Sequence, residues 1–160
     1  MRTMQQWFDA YGESHQDPRN EAFHWICVPM IFMCVIGLFS LIPHGFMTEH
    51  LSDGLKPYVH FGTVVIVLGL LFYLRLSFGM TVGMLLVSCI SLYLVKLVHV
   101  YMAEDAWWIF LGAFALAWVG QFIGHKIEGK KPSFFEDLQF LMIGPAWLLG
   151  FIYRKLGIRY

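Results

Sequence analysis

A chain of 160 residues that is 58% hydrophobic and only 14% charged has too little polar surface to cover a water-soluble globule, and it reads as a single integral-membrane domain. Its formal net charge is zero and its basic residues are scattered rather than gathered among aromatics, which excludes the basic face that nucleic acid requires. Cys27, Cys34 and Cys89 form no CxxC pair and read as reduced packing thiols.

Residues 1–21 are polar throughout and lack the basic start, short apolar core and small-residue cleavage site of a signal peptide. Trp7, Phe8, Tyr11 and His15 predict a first amphipathic helix, on which Tyr11 and His15 are one turn apart. Asp17 is placed to N-cap a second helix with Pro18 at its first position, where a missing N–H costs nothing. Asn20 and His24 are again one turn apart. On one continuous helix His15 and His24 would face opposite ways, and the break at Asp17-Pro18 lets both rings aim at a common point. Pro29 removes the hydrogen bond to the Trp25 carbonyl and is expected to bend the helix just beyond His24.

A hydrocarbon core about 30 Å thick needs about 20 helical residues, and four stretches approach that length: 23–42, 58–74, 80–101 and 106–124. A fifth, 138–153, is shorter and carries Gly144-Pro145 in its middle, so it is expected to lie in the interface or to re-enter. The predicted fold is all-α. It is a polytopic bundle of about four transmembrane helices, with an N-terminal amphipathic helix and a C-terminal interfacial or re-entrant one.

With four spans, Arg2, Arg19, Arg75, Lys126, Lys130 and Lys131 share a side, and the opposite loops hold only Lys56. The positive-inside bias therefore predicts both termini in the cytoplasm. That topology sorts the histidines. His15, His24 and His125 meet the cytoplasmic face, whereas His44, His50, His60 and His99 fall at or near the other.

Trp118, Gln121, His125 and Glu128 lie within roughly 80° of one another around a helix, at its membrane-surface end. Three histidines and a carboxylate thus converge on one side, a donor set that suits iron or zinc. Tyr11, Asn20 and Gln121 sit one turn from these ligands, where they can fix ring tautomers. No Gly-rich phosphate loop, GxSxG elbow or HExxH motif is present. Two enzyme readings stay open at this point, an iron oxygenase and a zinc hydrolase of amide or ester lipids with Glu128 as base. A transporter is disfavoured, because the middles of the spans are nearly uncharged, and a non-enzymatic scaffold stays open.

Read together, Tyr11-x3-His15-x4-Asn20-x3-His24-x4-Pro29, Trp118-x2-Gln121-Phe122-x-Gly124-His125-x2-Glu128-x3-Pro132 and Gly144-Pro145 resemble the membrane-bound 2-hydroxy fatty acid dioxygenases. The fungal members of that family act in phytosphingosine degradation, and many bacterial relatives were long catalogued as a domain of unknown function. The resemblance implies an Fe2+-dependent α-oxidation in which a 2-hydroxy fatty acid and O2 give a fatty acid one carbon shorter plus CO2. It implies His15, His24 and His125 as iron ligands, Glu128 as a ligand or general base beside His125, and Asn20 and Gln121 as supporting groups, with membrane lipids around the site. The chain departs from the family pattern at Cys27, where a glycine is expected, at Ser133, where alanine is usual, and after Pro145, where an acidic residue is missing.

Overall fold

The computed structural model describes residues 2–129 and 134–160, and every regular element among them is helical. Helix α1, Met4–Gly12, starts at a capping box in which Thr3 accepts from the Gln6 N–H and the Gln6 side chain accepts from the Thr3 N–H. As the sequence predicts, α2, Pro18–Ser40, is N-capped by Asp17 with Pro18 at its first position, and it runs as one helix through Pro29. A connection containing the short α3, Gly45–Thr48, and a 3-10 turn, Lys56–Tyr58, leads to α4, Phe61–Leu74. Ser77 caps α5, Phe78–Tyr101. Helix α6, Ala106–Glu128, ends on Gly129, whose φ of 73° is the left-handed cap that glycine adopts without strain. The last helix is α7, Phe134–Lys155.

Among the described residues, three stretches are long and apolar enough to cross a membrane: Pro18–Ser40, Phe78–Tyr101 and Ala103–Glu128. The fourth expected span, 58–74, is realised as the 14-residue α4, roughly 21 Å at 1.5 Å per residue and short of the hydrocarbon core. Its expected first residues go elsewhere: Tyr58 closes the 3-10 turn, and His60 is the N-cap. The expected C-terminal segment, 138–153, is longer than predicted. It runs as one helix of 22 residues through Gly144-Pro145, rather than breaking there to re-enter. Its middle is buried: Ile143, Ala146, Trp147 and Leu148 form a core with Met4, Phe8 and Tyr11 of α1 and with Tyr73, Met80 and Met84 of α4 and α5. Lys130, Lys131, Pro132 and Ser133 lie outside the described residues.

Helices α2 and α6 make the closest pair, antiparallel, and glycine permits the approach. A Cβ on Gly120 would sit 2.5 Å from Cys27 Sγ, and one on Gly124 would sit 2.4 Å from Asn20 Oδ1. The Cys27 departure from the family pattern is thus accommodated on the facing helix: its sulfur occupies the room that Gly120 leaves. Further along, Gly37 takes the ring of Phe110, so the start of α6 lies beside the end of α2. Outward-facing Leu68, Leu86 and Leu116 are each more than 60% exposed. An apolar surface of this kind suits lipid rather than water.

Candidate metal centre

His15 follows α1 by three residues, where the turn into α2 reverses the chain. Its Nδ1 lies 2.6 Å from the Tyr11 carbonyl, and the Tyr11 ring stacks on it at 4.1 Å and 8°. His24, in the second turn of α2, repeats the arrangement, with Nδ1 2.9 Å from the Asn20 carbonyl. His125 arrives from the last turn of α6, its ring 5.1 Å from each of the other two. All three are buried. One donor atom from each lies within 4.8 Å of the others, and this is the trio that converges in this way among the described residues.

The backbone contacts fix the tautomers. A carbonyl only accepts, so the Nδ1 of His15 and of His24 each carry the proton, and each Nε2 presents a lone pair. Those two Nε2 atoms face each other at 2.8 Å. Lone pairs at that distance repel unless a proton or a metal cation lies between them. A proton is disfavoured, because burial and then the charge of His24 push His15 down to about 3, leaving it neutral at physiological pH. The donor chemistry therefore fits a metal ion that prefers neutral imidazole.

Glu128 sits apart from this trio. One of its oxygens accepts from the Gln16 N–H at 2.8 Å, and the other accepts from the Asp17 N–H at 2.9 Å and from Asn20 Nδ2 at 3.1 Å. The carboxylate thus fastens the end of α6 to the corner between α1 and α2, the corner that carries His15. Asn20, fully buried, also donates to the Ser14 carbonyl at 3.1 Å, so it ties the same corner to α2. Gln121 is buried within hydrogen-bonding reach of His24.

Beside the histidines lies a narrow, half-open cleft of about 30 Å³ between α2, α6 and α7. Its polar end is formed by His24, His125, Gln121 and Tyr11, and its walls by Val28, Ile31, Trp118 and Leu141. Residue pattern alone did not place α7 here. Trp147 packs 5.5 Å from the His15 ring and 5.1 Å from Tyr11, and Gly144 lets the Tyr11 hydroxyl approach. The available signal was the Gly144-Pro145-x-Trp147 spacing, which sets Gly144 and Trp147 one turn apart on one face of α7. His44, His60 and His99 go to the other end of the bundle, as expected from topology; His60 is 5.9 Å from His44, and His99 contacts Ser40 at the end of α2.

A helical bundle with membrane-length apolar segments, three imidazoles converging at one end and an apolar cleft beside them is compatible with a membrane protein that carries a candidate metal centre. The chain belongs to the family described as 2-hydroxy-palmitic acid dioxygenase Mpo1-like, whose profile matches residues 1–156. No curated protein and no solved structure matches it significantly.

Proposed function

We propose that this protein is an Fe2+-dependent dioxygenase that converts a 2-hydroxy fatty acid and O2 into the fatty acid one carbon shorter, CO2 and water. The stoichiometry closes with O2 as the sole oxidant, since R–CH(OH)–COOH + O2 gives R–COOH + CO2 + H2O. The observation that carries the reading is the pair of Nε2 lone pairs of His15 and His24 directed at one another beside His125, at the polar end of an apolar cleft. His15, His24 and His125 would hold the ion. Bound there, Fe2+ would supply the redox-active centre at which a chelating 2-hydroxy acid and O2 meet.

The protein's own groups do the rest. Tyr11 and Asn20, through their carbonyls, keep the His15 and His24 rings in the tautomer that offers Nε2. Gln121 supplies an amide at the polar end of the cleft, suited to orienting the substrate's carboxylate or hydroxyl. Val28, Ile31 and Leu141 line the path of the acyl chain, where each CH2 removed from water contributes about 0.8 kcal/mol. Glu128 and Asn20 hold the His15 corner against α6. Glu128 therefore reaches the centre through that corner, and substitution separates its parts as ligand, base or clamp.

Metal reconstitution tests the reading. Protein stripped of metal is expected to regain conversion of 2-hydroxypalmitate with Fe2+ and not with Zn2+. Cleavage of an amide or ester lipid restored by Zn2+, with 2-hydroxypalmitate left unconverted by either metal, would instead identify a hydrolase. The same reading places the centre at the cytoplasmic face of a bacterial inner membrane, on the basic-residue asymmetry. A cysteine introduced at exposed Ser52 should react with an impermeant maleimide added outside, and one at exposed Arg2 should not. The reverse pattern would invert the orientation.

A further inference from the structure

A second set of histidines gathers at the end of the bundle away from His15, His24 and His125. His60, the N-cap of α4, is 2% exposed, and neither of its ring nitrogens has a hydrogen-bond partner among the described residues. Its position is fixed by packing: a Cβ on Gly62 would lie 2.9 Å from the His60 ring and 2.4 Å from the Ile36 carbonyl of α2. Buried ring nitrogens with nothing to bond are rare in folded proteins, and each one calls for an explanation.

The neighbours of His60 supply one. The His44 ring lies 5.9 Å away at 66°, and its Nδ1 is 2.8 Å from the Ile42 carbonyl. That nitrogen therefore carries the proton, and His44 Nε2 keeps a lone pair. Ser40 donates its one hydroxyl proton to the Gly37 carbonyl at 2.6 Å, so its contact of 2.7 Å with His99 Nε2 is one in which the ring donates. His99 Nδ1 then keeps its lone pair too. His99 contacts Ser40 one turn beyond Ile36, whose carbonyl packs against Gly62 beside His60, so His99 and His60 meet the same end of α2. The nearby cation Lys96 is held by the Tyr58 hydroxyl at 3.0 Å, and Asp53 is paired with Lys56.

We propose that His44, His60 and His99 form a second site, for a divalent transition-metal ion of the zinc or copper class. Neutral imidazole suits these ions, and with no carboxylate in the set the site does not suit magnesium or calcium. Two imidazoles on one tetrahedral zinc, with Zn–N of about 2.0–2.1 Å, hold their ring centres roughly 5 Å apart, near the separation of His44 and His60. The donors are spread more widely than in the first trio. His44, half-buried on the connection after α2, is the ring that swings to close the set. The ion would fasten that connection to α5 through His99 and to the start of α4 through His60.

The test is zinc stoichiometry on full-length protein in detergent, first stripped of metal and then equilibrated with Zn2+, so that neither iron nor turnover enters the readout. Wild type is expected to bind one more zinc per chain than His60→Ala and one more than His44→Ala. His15→Ala should lose a different equivalent, so that His15→Ala/His60→Ala loses both. His50→Ala, an exposed neighbour, should bind as wild type does. Should His60→Ala not fold, as judged by its helical circular dichroism, His44→Ala decides, because its half-buried ring lies on a connection rather than in a helix. Zinc uptake by His44→Ala equal to that of wild type would overturn the proposal, and so would loss of the same equivalent in His50→Ala.

Discussion

His15→Ala, His24→Ala and His125→Ala are each expected to abolish turnover and to remove the bound iron. Each ring reaches the centre from a different element, the turn after α1, α2 and the last turn of α6, so none can substitute for another. With one imidazole gone, the ion keeps two protein donors and the affinity falls well beyond the 10–100-fold that outer-shell changes bring. Gln121→Ala and Asn20→Ala should fall within that smaller range, because Gln121 lines the polar end of the cleft and the Asn20 amide ties down the corner that carries His15, and neither is one of the three converging donors. Iron content and kcat measured on the same samples separate the two classes. An iron-replete, active His125→Ala would remove that residue from the centre.

Glu128→Gln carries the second largest expected effect, and its outcome distinguishes three roles. The carboxylate accepts from two backbone N–H groups and one amide with its two oxygens. Glutamine has a single acceptor oxygen, and its NH2 would face a donor. Hydrogen bonds to a charged group contribute about 1.5–3 kcal/mol each, toward the lower end for a half-buried carboxylate, so the α1–α2 corner should loosen by roughly 2–4 kcal/mol. On the clamp reading, the variant binds iron about 10–100-fold more weakly, and excess Fe2+ restores turnover. Iron that is lost and not recovered by excess metal would mark Glu128 as a ligand. Normal iron content with lost turnover would mark it as the base.

The convergence of this centre was legible because it rests on local chemistry. The Asp17 cap, Pro18, the one-turn spacings of Tyr11 to His15 and of Asn20 to His24, and the Gln121–His125–Glu128 stripe each specify direction from neighbouring residues alone. The all-α class followed equally directly from apolar length. What was not legible depends on partners distant in sequence. Gly124 reads as a helix-weakening residue until Asn20 is seen against it, and Gly120 until Cys27 is. Likewise, the expected span at 58–74 ignored the 3-10 turn that takes up its start, and hydropathy alone could not show that α7 buries its middle against α1. Two carboxylate oxygens that both accept from N–H donors are also invisible in a motif. The spacing puts Glu128 on the right face, but only the fold shows what its oxygens touch.

Oxygen dependence tests the central claim most directly. Purified, iron-loaded protein incubated with 2-hydroxypalmitate should release the fatty acid one carbon shorter together with CO2, consuming one O2 per substrate, and should release neither under strict anaerobiosis. The same product formed at the same rate without O2 would contradict the dioxygenase account.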